Sequence, residues 1–157
     1  MIRIVAAALH LLALGLGLGA VLTRGNVLRE PPTADSLKRA FRADNLWGAA
    51  AVLWLATGLW RLFGELEKTT SYYVANHWFL AKMGLFVLIL ILEVMPAIVL
   101  MRWRAALRRG ESPATFASAP MARRIALLSH IEALLVVAII FAACAMARGY
   151  GIPGPAG

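Results

Sequence analysis

The stretch His77–Arg104, HWFLAKMGLFVLILILEVMPAIVLMRWR, decides how this chain is read. It is long enough to cross the ~30 Å hydrocarbon core of a bilayer as a helix, for which about 20 apolar residues suffice. Yet it carries Lys82, Glu93 and Pro96 inside its apolar run. A charged residue at the centre of a spanning helix costs roughly 2.5–3.5 kcal/mol on insertion scales, so such residues face a protein interior. At ~100° per residue, Lys82 and Glu93 lie ~20° apart around the helix and ~16 Å apart along it. They share one face and are too far apart to pair. Pro96 brings no amide hydrogen, which frees the carbonyl of Leu92 beside Glu93. One side of this helix is therefore a polar stripe.

Outward from this stretch, three further apolar runs have span-like length, giving expected spans at about 2–22, 46–63, 79–101 and 125–147. Apolar residues make up 61% of the chain, against roughly half in soluble domains. The reading is an all-α protein, a bundle of four transmembrane helices in one integral membrane domain. A Gly/Pro-rich tail at 149–157 is expected to be flexible. The lone Cys144 excludes an intrachain disulfide and any cysteine-based zinc spacing. A net charge of +8 would suggest nucleic acid in a soluble protein. Here it is read instead as loops facing an anionic leaflet, so the expected partner is the lipid bilayer and no nucleic acid is expected.

The basic residues cluster in two loops. Arg24, Arg29, Lys38, Arg39 and Arg42 lie between spans 1 and 2, and Arg102, Arg104, Arg108, Arg109, Arg123 and Arg124 between spans 3 and 4. Four spans put both loops on one side, and the positive-inside rule makes that side cytoplasmic, with both termini periplasmic. The expected location is the bacterial inner membrane. Pro31-Pro32 breaks the chain before a cap at Thr33, Asp35 or Ser36, which predicts a short interfacial helix running into span 2. Asp44, at the mouth of span 2, is placed to pair with an arginine of the other basic loop.

Depth groups the polar residues of the spans. His10 lies ~12 Å and Lys82 ~5–8 Å from the outer end, whereas Glu93, Ser129 and Glu132 fall near a common deeper level. His130 and Glu132 are ~200° apart on their helix, so only one of them faces inward; Glu132 is expected inside. Gly17, seven residues past His10, clears space beneath the imidazole for a neighbouring helix or a flat ligand. An inward histidine in a four-helix membrane bundle suits a b-type haem, with His10 as axial ligand to the metal and Lys82 as second ligand or propionate partner. Cofactor contacts are thus expected at His10, Lys82 and Gly17, and a polar relay at Glu93, Glu132 and Ser129. No catalytic set is identified.

The segments LHLLALGLGLGAVLTR, RADNLWGAAAVLWLATGLWRLFGELEK, NHWFLAKMGLFVLILILEVMPAIVLMRWR and AMARGYG resemble, over nearly the whole chain, a bacterial family of four-span inner-membrane proteins of unknown function. More distantly, LH in span 1 and HWFLAKMGL in span 3 resemble the haem-binding membrane protoporphyrinogen IX oxidase and the copper-resistance membrane proteins. That resemblance implies haem at His10 with Lys82 as its partner, and places Glu132 near an acidic position of the oxidase. The oxidase's Asn-Glu-x-Pro motif is absent: Ile131 precedes Glu132, and Leu134 stands where the proline would be. The function expected is a redox or electron-relay role on haem b. The alternative is a non-catalytic small subunit packed on a larger membrane complex, with a homo-oligomer or other membrane subunits as partners. A third reading is a transporter or proton-relay role through Lys82 and Glu93, for which four spans alone would require oligomerisation.

Overall fold

The computed structural model describes residues 1–64 and 69–151, and every described element is helical. In chain order these are α1 (Ile2–Val27), α2 (Ala34–Phe63), the short α3 (Thr70–Ala75), α4 (His77–Arg108), the single-turn α5 (Pro113–Phe116) and α6 (Ala119–Ala147). The helical turn considered at Glu65–Lys68 and the tail beyond residue 151 lie outside the described residues. The four long helices are each long and apolar enough to cross a membrane. At ~1.5 Å per residue they run past the hydrocarbon core into the interfaces.

α2 starts well before its apolar run because its N-terminus is capped. The Thr33 hydroxyl accepts from the Ser36 amide at 3.2 Å, and the Ser36 hydroxyl accepts from the Thr33 amide at 2.9 Å, a reciprocal capping box. The expected interfacial helix is thereby fused to span 2 as one 30-residue helix. Pro96 is accommodated without interrupting α4 and is fully buried.

Contacts at each end set the direction of the helices. Arg24, Asp44, Arg104 and Ser129 meet at one end; His10 meets Thr57, and Asn76 meets Tyr150, at the other. The spans therefore run up, down, up and down. Around the bundle the order is α2, α1, α6, α4: α1 packs on α2 and α6, and α6 on α4, while α2 and α4 scarcely touch. Small residues make the close approaches possible, since lipid offers no hydrophobic drive and helices must gain by packing. The buried stripe of α1 is Ala6, Ala13, Gly17, Ala20, Val21, Arg24, Gly25 and Val27. A Cβ on Gly25 would stand 2.6 Å from the His130 ring, so that crossing requires glycine or a displaced imidazole. The outward faces are apolar: Leu11, Val52, Ile91, Leu134 and Phe141 are each more than 60% exposed. A contiguous surface of this kind belongs in a bilayer.

Two apolar cores stack along the bundle. One, at the basic end, joins Leu37, Phe41, Leu100, Trp103 and Ile125; the other joins Val21, Trp47, Phe86, Ile89, Val136 and Ile139. The polar groups described next lie between them.

The first residues of the Gly/Pro-rich tail make contacts with the bundle. Tyr150 and Gly151 are pinned to the start of α4: Asn76 Nδ2 donates to the Tyr150 carbonyl at 3.0 Å, and the His77 amide donates to the Gly151 carbonyl at 3.1 Å. Gly151 has φ +86°, and a Cβ there would fall 2.6 Å from Trp78 Cδ1, so both conformation and space require glycine.

Candidate functional site

Arg24 organises the polar interior. Counted from sequence as the first residue of a basic loop, it lies instead in the last turns of α1 and is fully buried. The reason is geometric. Helix side chains lean toward their own N-terminus, so an arginine at the C-terminal end of a span reaches back into the bundle.

A guanidinium has five N–H donors, and all five are used. Nε donates to Ser129 Oγ at 2.9 Å. Nη1 donates to Asp44 Oδ1 at 2.9 Å and to Glu93 Oε1 at 2.7 Å. Nη2 donates to Glu93 Oε2 at 2.8 Å and to Glu132 Oε2 at 2.7 Å. Glu93 is thus held by the two-pronged geometry that makes Arg–carboxylate pairs strong and directional. One residue from each of the other three spans, Asp44, Glu93 and Glu132, meets this single side chain.

The surrounding contacts extend the network. Trp47 Nε1 donates to Glu93 Oε2 at 3.2 Å. Ser129 Oγ donates to the Ile125 carbonyl at 2.9 Å. Asp44, expected to pair with an arginine of the other basic loop, meets Arg104 at 3.4 Å, and Arg104 also donates to Asn45 Oδ1 at 2.8 Å. Glu132 is fully buried, and no hydrogen bond among the described residues reaches its Oε1.

Beside the cluster, the gap between α2 and α4 forms a cleft of about 450 Å³. Ala49, Ala51, Trp54, Leu90, Ala97 and Met101 contribute apolar walls; Asp44, Glu93 and Arg104 line its polar part. Glu93 retains 21% side-chain exposure, so one edge of the cluster faces the cleft while Glu132 sits behind it.

The residues singled out in the sequence divide between two places. Glu93, Glu132 and Ser129 converge on Arg24. His10 lies toward the other end, where its ring stacks on Trp54 with centroids 5.4 Å apart and its Nδ1 is 2.9 Å from Thr57 Oγ1. The Thr57 hydroxyl also lies 2.7 Å from the Leu53 carbonyl and 3.1 Å from the Trp54 carbonyl, either of which can accept its hydrogen. Lys82 Nζ stands 5.0 Å from the Phe79 ring centroid. His130 turns away from the cluster to the Ala126 carbonyl and Asn26 Oδ1.

The space left by Gly17 is taken by a helix rather than kept as a slot: a Cβ there would be 3.2 Å from the Trp47 ring and 3.4 Å from Ala50. With Trp47 against Gly17 and Trp54 against His10, these residues do not fit a porphyrin plane between His10 and Gly17. Among the described residues, no group of three or more His, Cys, Asp or Glu side chains is arranged to hold a metal ion.

Arg24 is the residue that sequence reasoning missed. The available signal was the imbalance in the spans. Glu93 and Glu132 lie deep, far from Lys82, and Arg24 stands just past a span at the matching level, at the helix end from which a side chain leans inward.

A family model described as "Predicted membrane protein (DUF2214)" matches residues 2–151. No curated protein and no solved structure matches the chain. These comparisons support an uncharacterised membrane-protein family and add nothing for the haem-binding oxidase or the copper-resistance proteins.

Proposed function

We propose a function for this chain, which belongs to the DUF2214 family of predicted membrane proteins. It is a membrane-embedded binding protein for an amphiphile whose head group donates hydrogen bonds or carries positive charge. The observation that carries this reading is the cleft between α2 and α4. Its volume lies in the range typical of small-molecule sites, its walls are mostly apolar, and its few polar groups are grouped together. The cluster bordering it has three carboxylates against two guanidiniums, Arg24 and Arg104, and Glu93 presents a partly exposed carboxylate edge. A chain in the acyl layer with a cationic head on Glu93 and Asp44 matches that distribution. We place the protein in a bacterial inner membrane with both termini periplasmic, as its loop charges imply.

Two indoles of the cleft, Trp47 and Trp54, provide the test. A brominated long-chain alkylamine titrated into purified protein should quench tryptophan fluorescence saturably. A brominated alkyl sulfonate of equal length should not. Glu93→Gln should weaken amine binding roughly tenfold or more, since a charged hydrogen bond is worth about 1.5–3 kcal/mol. Equal, unsaturable quenching by both probes would sink the reading. If the protein instead co-purifies with another membrane subunit whose span fills the cleft, the small-subunit reading takes its place.

The haem reading keeps one observation in its favour. The His10 ring is oriented by the Thr57 hydroxyl at Nδ1, as an outer-shell partner orients a metal-bound imidazole. An absorption spectrum of the purified protein tests it: a Soret band lost in His10→Ala would restore haem as the leading ligand, and a colourless protein would remove it.

A further inference from the structure

We propose that the Arg24 cluster is a proton-binding site, holding one exchangeable proton on its carboxylates at neutral pH and exposing it to the cleft through Glu93. Three observations meet here. The first is the charge count. Arg24 and Arg104 face Asp44, Glu93 and Glu132, so the fully ionised cluster carries one uncompensated negative charge. An uncompensated charge kept from water costs several kcal/mol, and a carboxylate relieves it by taking a proton. The second is Glu132 itself. It is fully buried, and its Oε1 has no hydrogen-bond partner among the described residues. A bare carboxylate oxygen is costly there, whereas a protonated one is a neutral hydroxyl. The third is the junction at Nη2, where Glu93 Oε2 and Glu132 Oε2 accept from the same nitrogen. That places two like charges side by side, an arrangement in which one proton serves both.

Each helix packed on the site contributes to this account: Arg24 from α1, Asp44 from α2, Glu93 and Arg104 from α4, and Glu132 with Ser129 from α6. His130, also on α6, is directed to Asn26 instead. The exchange is a simple one. A proton from water entering the cleft reaches the exposed edge of Glu93 and is shared with Glu132, and it leaves by the same route. A cationic head group on Glu93 would supply the same missing positive charge, so the proton belongs to the cluster with no such ligand in the cleft. The infrared measurement is therefore made on protein without added amine, and failure of amine binding leaves the proton site standing.

Infrared difference spectroscopy of the full chain in nanodiscs reads the proton directly. The wild type should show the carbonyl stretch of a protonated, water-shielded carboxyl group at neutral pH, shifting in D2O. Glu132→Gln and Glu93→Gln should each abolish it. Asp44→Asn is the sharper variant. It leaves Glu93 and Glu132 in place but balances the charge count, so the band should vanish. Arg104→Gln adds to the excess negative charge, so the band should persist to higher pH than in the wild type. Circular dichroism identifies any variant that does not fold, and the remaining variants then carry the test. A wild type without the band at neutral pH overturns the proposal. So does a folded Asp44→Asn protein that keeps the band at full strength.

Discussion

Arg24 donates every one of its guanidinium hydrogens to protein oxygens, so its removal takes the shared cation from three carboxylates. Asp44 keeps Arg104 and Glu93 keeps the Trp47 indole, while the fully buried Glu132 loses its ion pair. Breaking a buried ion pair on one side costs about 3–5 kcal/mol, because the abandoned charge remains buried. Arg24→Gln should therefore lower stability by about that much, read from thermal unfolding in mild detergent. Arg24→Lys keeps the charge but not the fork, and should fall between the two. The double variant Arg24→Gln/Glu93→Gln should recover part of the loss, since it removes one stranded charge. A single Arg24→Gln variant as stable as the wild type would show that the cluster contributes nothing to holding the spans together.

Among the elements, the start of α4 depends on a side chain that no apolar pattern predicts. Asn76 is fully buried, accepts from the amides of Trp78 at 2.9 Å and Phe79 at 3.3 Å, and donates to the Tyr150 carbonyl. One amide group thus caps α4 and anchors the end of α6. Asn76→Asp retains the acceptor and loses the donor; Asn76→Ala loses both. Both variants should speed tryptic cleavage after Arg148, beside the anchored Tyr150. Only Asn76→Ala should also lose the cap, at a cost of about 1 kcal/mol. Equal cleavage rates in all three proteins would show that the anchor is too weak to matter. At α2, the capping box at Thr33 carries the helix across the interface without a break, which is how Asp44 and Trp47 come to stand on one continuous helix at the level of Arg24.

At the scale of the whole molecule, the helices form an open arrangement. α1 and α6 lie between α2 and α4, and the outer pair leaves the cleft. The orientation proposed for that arrangement rests on the charge of the basic loops. Alkaline phosphatase, active only outside the cytoplasm, should be inactive when fused after Gly110 and active when fused after Thr70. The reverse pattern would invert the molecule and turn the Arg24 end of the cleft toward the periplasm. Arg24 itself is a weak guide to orientation: it is buried among carboxylates, so its charge is withdrawn from the surface, whereas Arg108, Arg109, Arg123 and Arg124 are exposed.

The amino-acid sequence makes the all-α class and the four apolar spans legible, because length and apolarity alone satisfy the bilayer's demand that every backbone polar group be paired within its own helix. It also determined that Glu93 and Glu132 turn inward, since lipid penalises charge on the opposite face. Periodicity within a helix is a local property and can be read from spacing. Which residue answers those carboxylates is not local. Arg24 is 69 residues from Glu93 and 108 from Glu132, and beyond the apolar run its neighbours in the chain make it look like any loop arginine. Only packing decided that it leans back into the bundle, that Trp47 fills the space left by Gly17, and that Trp54 covers the His10 ring. The cleft likewise follows from which helices adjoin, and spacing along one strand of sequence carries no information about that.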